Sequence, residues 1–351
     1  MQKNIYVLYG GPSTEHEVSI TSARTLINNL SKEKYNVNAI FVRRDKKFIM
    51  KENITEEIKF DEELILDTDL SVIESVSDCI SKINPENTVI FPAIHGSYGE
   101  DGTIQGFIKV LDLPFVGCNV LGSALCMDKG YTNDIFELNK IPQAKYVVLC
   151  KNDDYNLKEI FEKTSKAVYV KPCNAGSSVG VMRAETEEEL EKAIQNAFQY
   201  DRRILVEEEI IGPELQIAVM GNDNPVASRP GVYQIHDVEF FDYDAKYNDS
   251  KTEMLTPFPM DEKLELKARH LAEKVYKLMS LSGFSRVDMF VKDNELWVNE
   301  INTVPGLTPH SMFPVLWKCT NDMSVSEVFD NLIGLAVEEY EKKKKAYKLE
   351  R

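Results

Sequence analysis

Hydrophobic positions set the order of elements before any chemistry is considered. Residues 5–9 form a short apolar run ending at Gly10 and Gly11, and Ile20, Ala23, Leu26, Ile27 and Leu30 follow at helical spacing. Residues 37–42 predict a second strand, so the chain opens β-α-β. That opening implies a parallel sheet whose ligand edge lies beyond the carboxyl ends of its strands, where Glu15, His16 and Ser19 fall. Residues 45–86 are acidic and weakly patterned and read as helical and loop excursions of the same region. Residues 89–94 predict the next buried strand, which runs into His95-Gly96-Ser97 and then Gly99-Glu100-Asp101-Gly102. Ile104, Phe107, Ile108 and Leu111 mark a helix, and 114–117 a short edge strand that closes the region.

A helix from Leu121 carries Met127-Asp128-Lys129, and 141–149 begins a second sheet that continues through 168–171. In the stretch 168–182, VYVKPCNAGSSVGVM, the apolar positions Val168, Tyr169, Val170, Val179 and Val181 predict two strands around a loop of small residues. Thr186 with Glu189 spells a capping box, and Leu190, Ala193, Ile194, Ala197 and Phe198 build one apolar helix face. Residues 204–206 lead into Glu207-Glu208-Glu209, and Gly212-Pro213-Glu214 turns the chain. Strands at 215–220 and 226–228 open a third region, interrupted by a polar, aromatic loop at 240–251 of a length that marks either function or disorder. An amphipathic helix at 262–280 precedes a hairpin, 285–291 and 296–302, around Asp293-Asn294. A helix at 325–340 closes the chain, with the Lys-rich tail beyond it expected to fray. The reading divides the chain at 1–117, 118–210 and 211–351.

Composition narrows the classes. The chain has 351 residues, enough for two or three cores, and its 43% hydrophobic and 28% charged content suits a soluble globular fold. A net charge of -16 argues against a nucleic-acid backbone or an anionic membrane as the main partner. Six cysteines are scattered without a C-x-x-C pair, which indicates neither a zinc site nor a disulfide framework and suits reduced thiols. The N-terminal apolar run is too short for a signal-peptide core, and no stretch approaches the ~20 apolar residues that span a bilayer. A cytoplasmic, soluble chain is expected.

Several positions carry candidate chemistry. Lys171 at a strand end, followed by Gly176, Ser177, Ser178 and Gly180, offers charge, hydroxyls and backbone N–H groups that can approach phosphate closely, although the same loop would serve as an ordinary turn. It is neither a P-loop nor the dinucleotide fingerprint. His95, ending a central strand, is a candidate donor to an anionic group. The three acids after residue 206 read as a solvated edge, or as backbone that reads an adenine while Glu214 accepts ribose hydroxyls. Glu300 and Asn302 are two apart and share a strand face. Asp288 joins them only if it pairs with Glu300, which requires an odd-length turn such as Asp293 to Glu295; a two-residue turn sets Asp288 opposite Asn299 and breaks the cluster. Three oxygen donors on one face suit magnesium bridging nucleotide phosphates, and Gly306 follows in a tight turn whose N–H could serve as an oxyanion donor.

Taken together, GGPSTEHEVS, HGSYGEDGTIQG, MDK, KPCNAGSSVG, and SRVDMF with NEINTVPGLTPHS resemble, in order and spacing, the D-alanine:D-alanine ligases of the ATP-grasp superfamily over nearly the whole chain. The resemblance implies an α/β ATP-grasp fold with an N-terminal Rossmann-like domain, and ligation of two D-alanines with ATP through an acyl phosphate. A relative using D-serine or D-lactate is the alternative. By the same resemblance, Lys129, Lys171 and Ser178 hold phosphates, Glu207, Glu208 and Ile210 meet the adenine, and Glu214 meets the ribose. Asp288, Glu300 and Asn302 would bind two Mg2+ or Mn2+ ions. Glu15 would grip the first D-alanine near His95, Arg286 and Gly306 would stabilise the tetrahedral intermediate, and Ser311 and Met312 would contact the second D-alanine. Ser177 and Tyr247 would join Glu15 in a network closing a mobile loop, and the pair Lys246-Tyr247 marks D-alanine as acceptor. A homodimer is implied. Glu208 stands where many relatives have lysine, and His310 varies; neither departure removes a catalytic group.

Overall fold

The computed structural model describes residues 2–235 and 252–349; Lys246 and Tyr247 lie outside the described residues. The first region comprises β1 (Lys3–Gly10), α1 (His16–Asn29), β2 (Tyr35–Val42), β3 (Phe48–Lys51), α2 (Val72–Lys82), β4 (Thr88–Pro92) and α3 (Thr103–Val110). Its sheet has the order β3-β2-β1-β4, with β1 parallel to both β2 and β4 and β3 antiparallel at the edge. The expected 114–117 edge strand reduces to one parallel bridge between Ile90 and Phe115.

In the weakly patterned stretch, read as helical and loop excursions, the helix α2 is present as expected and the strand β3 is the correction. β3 pairs with β2, and α2 opens with a capping box from Ser71 and Glu74. Apolar residues on the outer side of that helix, Val72 and the 82% exposed Ile73, blur its period.

The second region begins with α4 (Val120–Met127) and α5 (Lys129–Leu138), two helices where one was expected, separated by Asp128 alone. β5 (Tyr146–Cys150), α6 (Leu157–Lys163), β6 (Val168–Pro172), β7 (Met182–Ala184), α7 (Glu187–Ala197) and β8 (Arg203–Glu208) follow. They form an antiparallel sheet of order β5-β8-β6-β7, backed by the apolar face of α7. β7 starts at Met182, so Val179 and Val181 belong to the loop rather than to a strand. Along β6 the residues alternate: Val168, Val170 and Pro172 are buried, while Tyr169 and Lys171 point to the other face with Glu207, the partner of Tyr169 on β8.

The third region holds β9 (Glu214–Met220), β10 (Val226–Ala227), β11 (Val232–Ile235), β12 (Thr252–Leu255), α8 (Glu262–Leu278), β13 (Phe284–Lys292), β14 (Glu295–Asn302), α9 (Met312–Asn321) and α10 (Val325–Leu349). Its main sheet runs β10-β9-β13-β14, all antiparallel, and buries Ile217, Val287, Met289, Val298 and Ile301 against α8. The sequence reading assigned no element between residues 312 and 325, where α9 lies with Pro314 near its start. That proline sits in the first turn, where its missing N–H has no intrahelical partner to lose.

α10 continues to Leu349 rather than fraying after residue 340, and it packs on the first sheet while still bonding the third region, where the Asn222 side chain donates to the Leu335 carbonyl at 3.0 Å. There Phe329 meets Phe91 edge to face at 5.9 Å, and Asp330 accepts from the Tyr35 hydroxyl at 2.8 Å.

Candidate active site

A cavity of about 560 Å³ lies where the three regions meet, within the roughly 300–1,000 Å³ common for small-molecule sites. Its first wall comes from the carboxyl edge of the parallel sheet. Glu15 occupies the N-cap position of α1, yet its side chain makes no capping bond and faces the cavity. Ser13 Oγ holds the strand end, donating to the His95 carbonyl at 2.8 Å and accepting from the Glu15 N–H at 3.1 Å. A Cβ on Gly96 would lie 2.6 Å from Glu15 Oε2, so glycine is required for the His95 loop to approach this carboxylate.

His95 is not free to donate to an anion. Its Nδ1 donates to the Val304 carbonyl at 2.9 Å, which leaves Nε2 to accept from the Ser22 hydroxyl at 2.8 Å. Burial pulls its pKa below the ordinary histidine value, although Glu15 opposes the shift, so the ring is neutral near pH 7. It ties α1 to the turn that carries Gly306.

The sequence analysis assigned no role to Glu100, which lies in the same wall and whose Oε1 accepts from the Gly96 N–H at 2.8 Å. Burial, then the charge of Glu15, pushes its carboxyl up to about 8. A glycine four residues before an acid, on a loop leaving a buried strand, is the signal that could have found it. Two acids so placed favour a cationic group between the walls.

The second wall carries the lysines. Lys171 pairs with Glu207 on the cleft face of its sheet; burial lowers the ammonium's pKa, but Glu207 outweighs that and the net direction is upward. Lys129, the first residue of α5, donates from Nζ to the Ala175 carbonyl at 2.9 Å and stands 3.7 Å from Glu300. Between them runs the 173–181 loop, where Ser177, Ser178 and Gly180 all have positive φ. Ser177 lines the cavity with Glu15, and Gly176 approaches the same carboxylate, but among the described residues no hydrogen bond joins Ser177 to Glu15. Glu208 turns its side chain to the Lys145 N–H at 2.9 Å, so only its backbone faces the cavity with Ile210.

The third wall is the hairpin. Asp293 and Asn294 both have positive φ and form a two-residue turn, with Lys292 opposite Glu295. Asp288 nevertheless pairs with Glu300, because the register shifts between Asp288 and Met289, leaving Asn299 as a bulge. The pairing expected from the sequence is therefore present and its expected cause is not. Arg286, Asp288, Glu300 and Asn302 share the cleft face, and the bulged Asn299 donates to Glu214 at 2.6 Å. Arg286 binds both Asp288 oxygens, at 2.7 and 2.6 Å, which holds Asp288 beneath it and out of the cavity lining. Among the described residues no group of three or more His, Cys, Asp and Glu is arranged to hold a metal. The donor chemistry still suits a hard cation: two carboxylates and an amide share the face, and Gln216, opposite Asp288, keeps a buried side-chain oxygen without a hydrogen-bond partner.

Gly306 and Ser311 complete this end. Ser311 Oγ bonds Thr308 Oγ1 at 2.8 Å, and Met312 has its side chain in the core, so it offers only its backbone to the cavity.

Lysines on one antiparallel sheet facing an acid-and-arginine row on another, with a carboxylate pocket at the edge of a parallel sheet, define an ATP-grasp ligase. Family models described as D-ala D-ala ligase N-terminus and D-ala D-ala ligase C-terminus match residues 4–118 and 135–334. A curated D-alanine–D-alanine ligase from Finegoldia magna is 98% identical over 351 residues, 100% of both chains, and one from Staphylococcus epidermidis is 39% identical over 99% of both. Among solved structures, the D-alanine-D-alanine ligase from Coxiella burnetii superposes with TM-score 0.81 at 30% identity over 99% of both chains. The VanG D-Ala:D-Ser ligase from Enterococcus faecalis does so with TM-score 0.80 at 33% identity, over 96% of this chain and 100% of that one. The chain belongs to the D-alanine–D-alanine ligase family.

Proposed function

We propose that this ligase joins two D-alanines into D-alanyl-D-alanine for peptidoglycan precursor synthesis, in two steps at the cavity where the three regions meet. An amine cannot displace oxide from a carboxylate. ATP therefore phosphorylates the first D-alanine, and the amine of the second expels phosphate from the acyl phosphate, leaving ADP, phosphate and the dipeptide. Phosphoryl transfer needs positioning and charge neutralisation more than a protein nucleophile. Lys129, Lys171 and the backbone and hydroxyl of Ser178 hold the phosphates, with Glu207, Glu208 and Ile210 at the adenine and Glu214 at the ribose. Asp288, Glu300 and Asn302 would hold two magnesium or manganese ions, whose charge neutralises the transferring phosphoryl oxygens. Glu15, beside the largely protonated Glu100, receives the ammonium of the first D-alanine, and His95 fixes the distance from that subsite to the Gly306 turn. Arg286 and the Gly306 N–H face the developing oxyanion, while Ser311 and the Met312 backbone border the second D-alanine. Ser177 closes the 173–181 loop over the intermediate and keeps water out.

The observation that carries this reading is the convergence of Glu15, Lys129, Lys171, Arg286, Glu300 and Asn302 on one cavity. D-alanine as acceptor is supported by the near-identity to a D-alanine–D-alanine ligase and by Lys246-Tyr247 in the sequence. Among the described residues no helix is long and apolar enough to cross a membrane. The enzyme acts in the cytoplasm, at the supply of ATP, as a homodimer; exposed Phe60, Ile65 and Ile73 offer apolar surface to a second copy. Phosphate release from ATP should depend on D-alanine and on magnesium, with D-alanyl-D-alanine as product and two chains per particle in sedimentation. Ligation of D-lactate or D-serine in preference to D-alanine would overturn the acceptor assignment.

A further inference from the structure

A charged knot outside the cavity, buried at Asp128 and open to solvent at Asn174, joins three segments that the site depends on. Asp128 is the single residue between α4 and α5: its N–H bonds the Ala124 carbonyl and its Oδ1 accepts from the Tyr131 N–H at 3.0 Å, so it ends one helix and starts the next. Its other oxygen accepts from Arg203 Nη1 at 2.8 Å and from Asn174 Nδ2 at 3.1 Å. Asn174 in turn donates to Asp201 through its backbone at 2.8 Å and its side chain at 2.9 Å, and Asp201 accepts from the Arg203 N–H at 3.2 Å, closing the circuit. The Arg203 guanidinium lies over the Tyr131 ring, 3.9 Å from its centroid.

The same three segments are joined by the main chain. Lys129 N–H donates to the Cys173 carbonyl at 3.0 Å, and Cys173 N–H to the Arg203 carbonyl at 3.0 Å. A Cβ on Gly130 would lie 2.9 Å from Arg203 Nη2 and 3.3 Å from Cys173 Sγ, so glycine here leaves room for the guanidinium beside Asp128. Lys129 is thus anchored at both ends on the 173–181 loop, by its backbone at Cys173 and its side chain at Ala175.

We propose that Asp128 and Arg203 are positioning residues of the ligase, which lock the phosphate lysine Lys129 and the root of the 173–181 loop into one unit, so that the two are set together when nucleotide binds. The proposal rests on the reading of Lys129 as a phosphate ligand. A pair that served stability alone would be replaceable by uncharged groups of similar size without effect on nucleotide binding.

The test uses the full chain carrying Asp128→Asn, Arg203→Lys, the double variant Asp128→Asn with Arg203→Met, and Lys129→Ala. Initial rates with varied ATP and with varied D-alanine are compared with melting temperature. Proteolytic nicking of the 173–181 loop is followed with and without a non-hydrolysable ATP analogue. The ATP KM should rise about tenfold in Asp128→Asn and Arg203→Lys, the scale of coupling between groups in one network, with the D-alanine KM unmoved. The analogue should protect the loop less than in the parent. In the double variant, which leaves no lone buried charge, melting temperature should recover while the ATP KM stays high. A recovered or unchanged ATP KM in folded variants, or full protection of their loop, overturns the proposal. An unchanged ATP KM in Lys129→Ala would instead remove the reading of Lys129 on which it stands.

Discussion

Glu100 lies in the same wall as Glu15, and burial with that neighbouring charge keeps its proton up to about pH 8 against the ordinary 4.5. The folded protein then binds a proton that the unfolded chain has lost, so this group's contribution to stability is full below about 4.5 and disappears as pH rises through about 8. His95 works in the opposite sense: burial keeps it neutral, and stability falls as pH drops below its ordinary 6.5. Glu100→Gln should flatten the fall of melting temperature between about pH 4.5 and about 8 by several degrees and leave the slope outside that window unchanged; an unaltered slope within the window would refute the shifted carboxyl. Glu15 and Lys171 stood out in the sequence because they fall at a strand end or glycine turn of an α/β pattern, whereas Lys129, on a helix, was singled out only by the family resemblance. The Gly96-to-Glu100 spacing could have pointed to Glu100, but its burial and the nearness of Glu15, which set its shifted carboxyl, come from tertiary packing.

At the level of elements, the hairpin shows a correct face reached by an unforeseen route. Two consecutive residues with positive φ make a turn whose twist matches the strands, and that turn has even length. Parity must then be restored within the strand, and Asn299 does this as a bulge. The bulge also places the Asn299 amide on Glu214, at 2.6 Å. Asn299→Ala removes one hydrogen bond to a carboxylate, a loss of about 1.5 kcal/mol or more. The ATP KM should therefore rise roughly tenfold with kcat nearly unchanged. A fall in kcat with constant KM would show that the bulge serves the chemistry and not the nucleotide. Thr186 and Glu189 capped α7 as their spacing foretold, whereas the same Ser-x-x-Glu signal at Ser71 was hidden by the exposed apolar residues that follow it.

Across the whole molecule, the last helix closes the first sheet. Phe329 is fully buried there against Phe91, and Tyr35 and Lys34 both bond Asp330. Phe329→Ala should lower unfolding stability by about 3–5 kcal/mol, measured by denaturant titration, and should shift the first and third regions together rather than leave the first intact. Separate transitions would show that the helix adds little to the parallel sheet. What the sequence by itself determined is the set of elements with strong periods and the chemical groups at their ends: the β-α-β opening, the Gly/Ser-rich loop after Lys171, and Glu300 with Asn302 on one face of the hairpin. Side-chain period and turn chemistry are local, so they can be read along the chain. Tertiary structure alone decided which walls face each other, that both nitrogens of His95 are occupied, that Asp288 lies beneath Arg286, and that α10 returns to the first sheet. These depend on contacts between residues as distant as His95 and Val304, and local pattern carries no information about such separations.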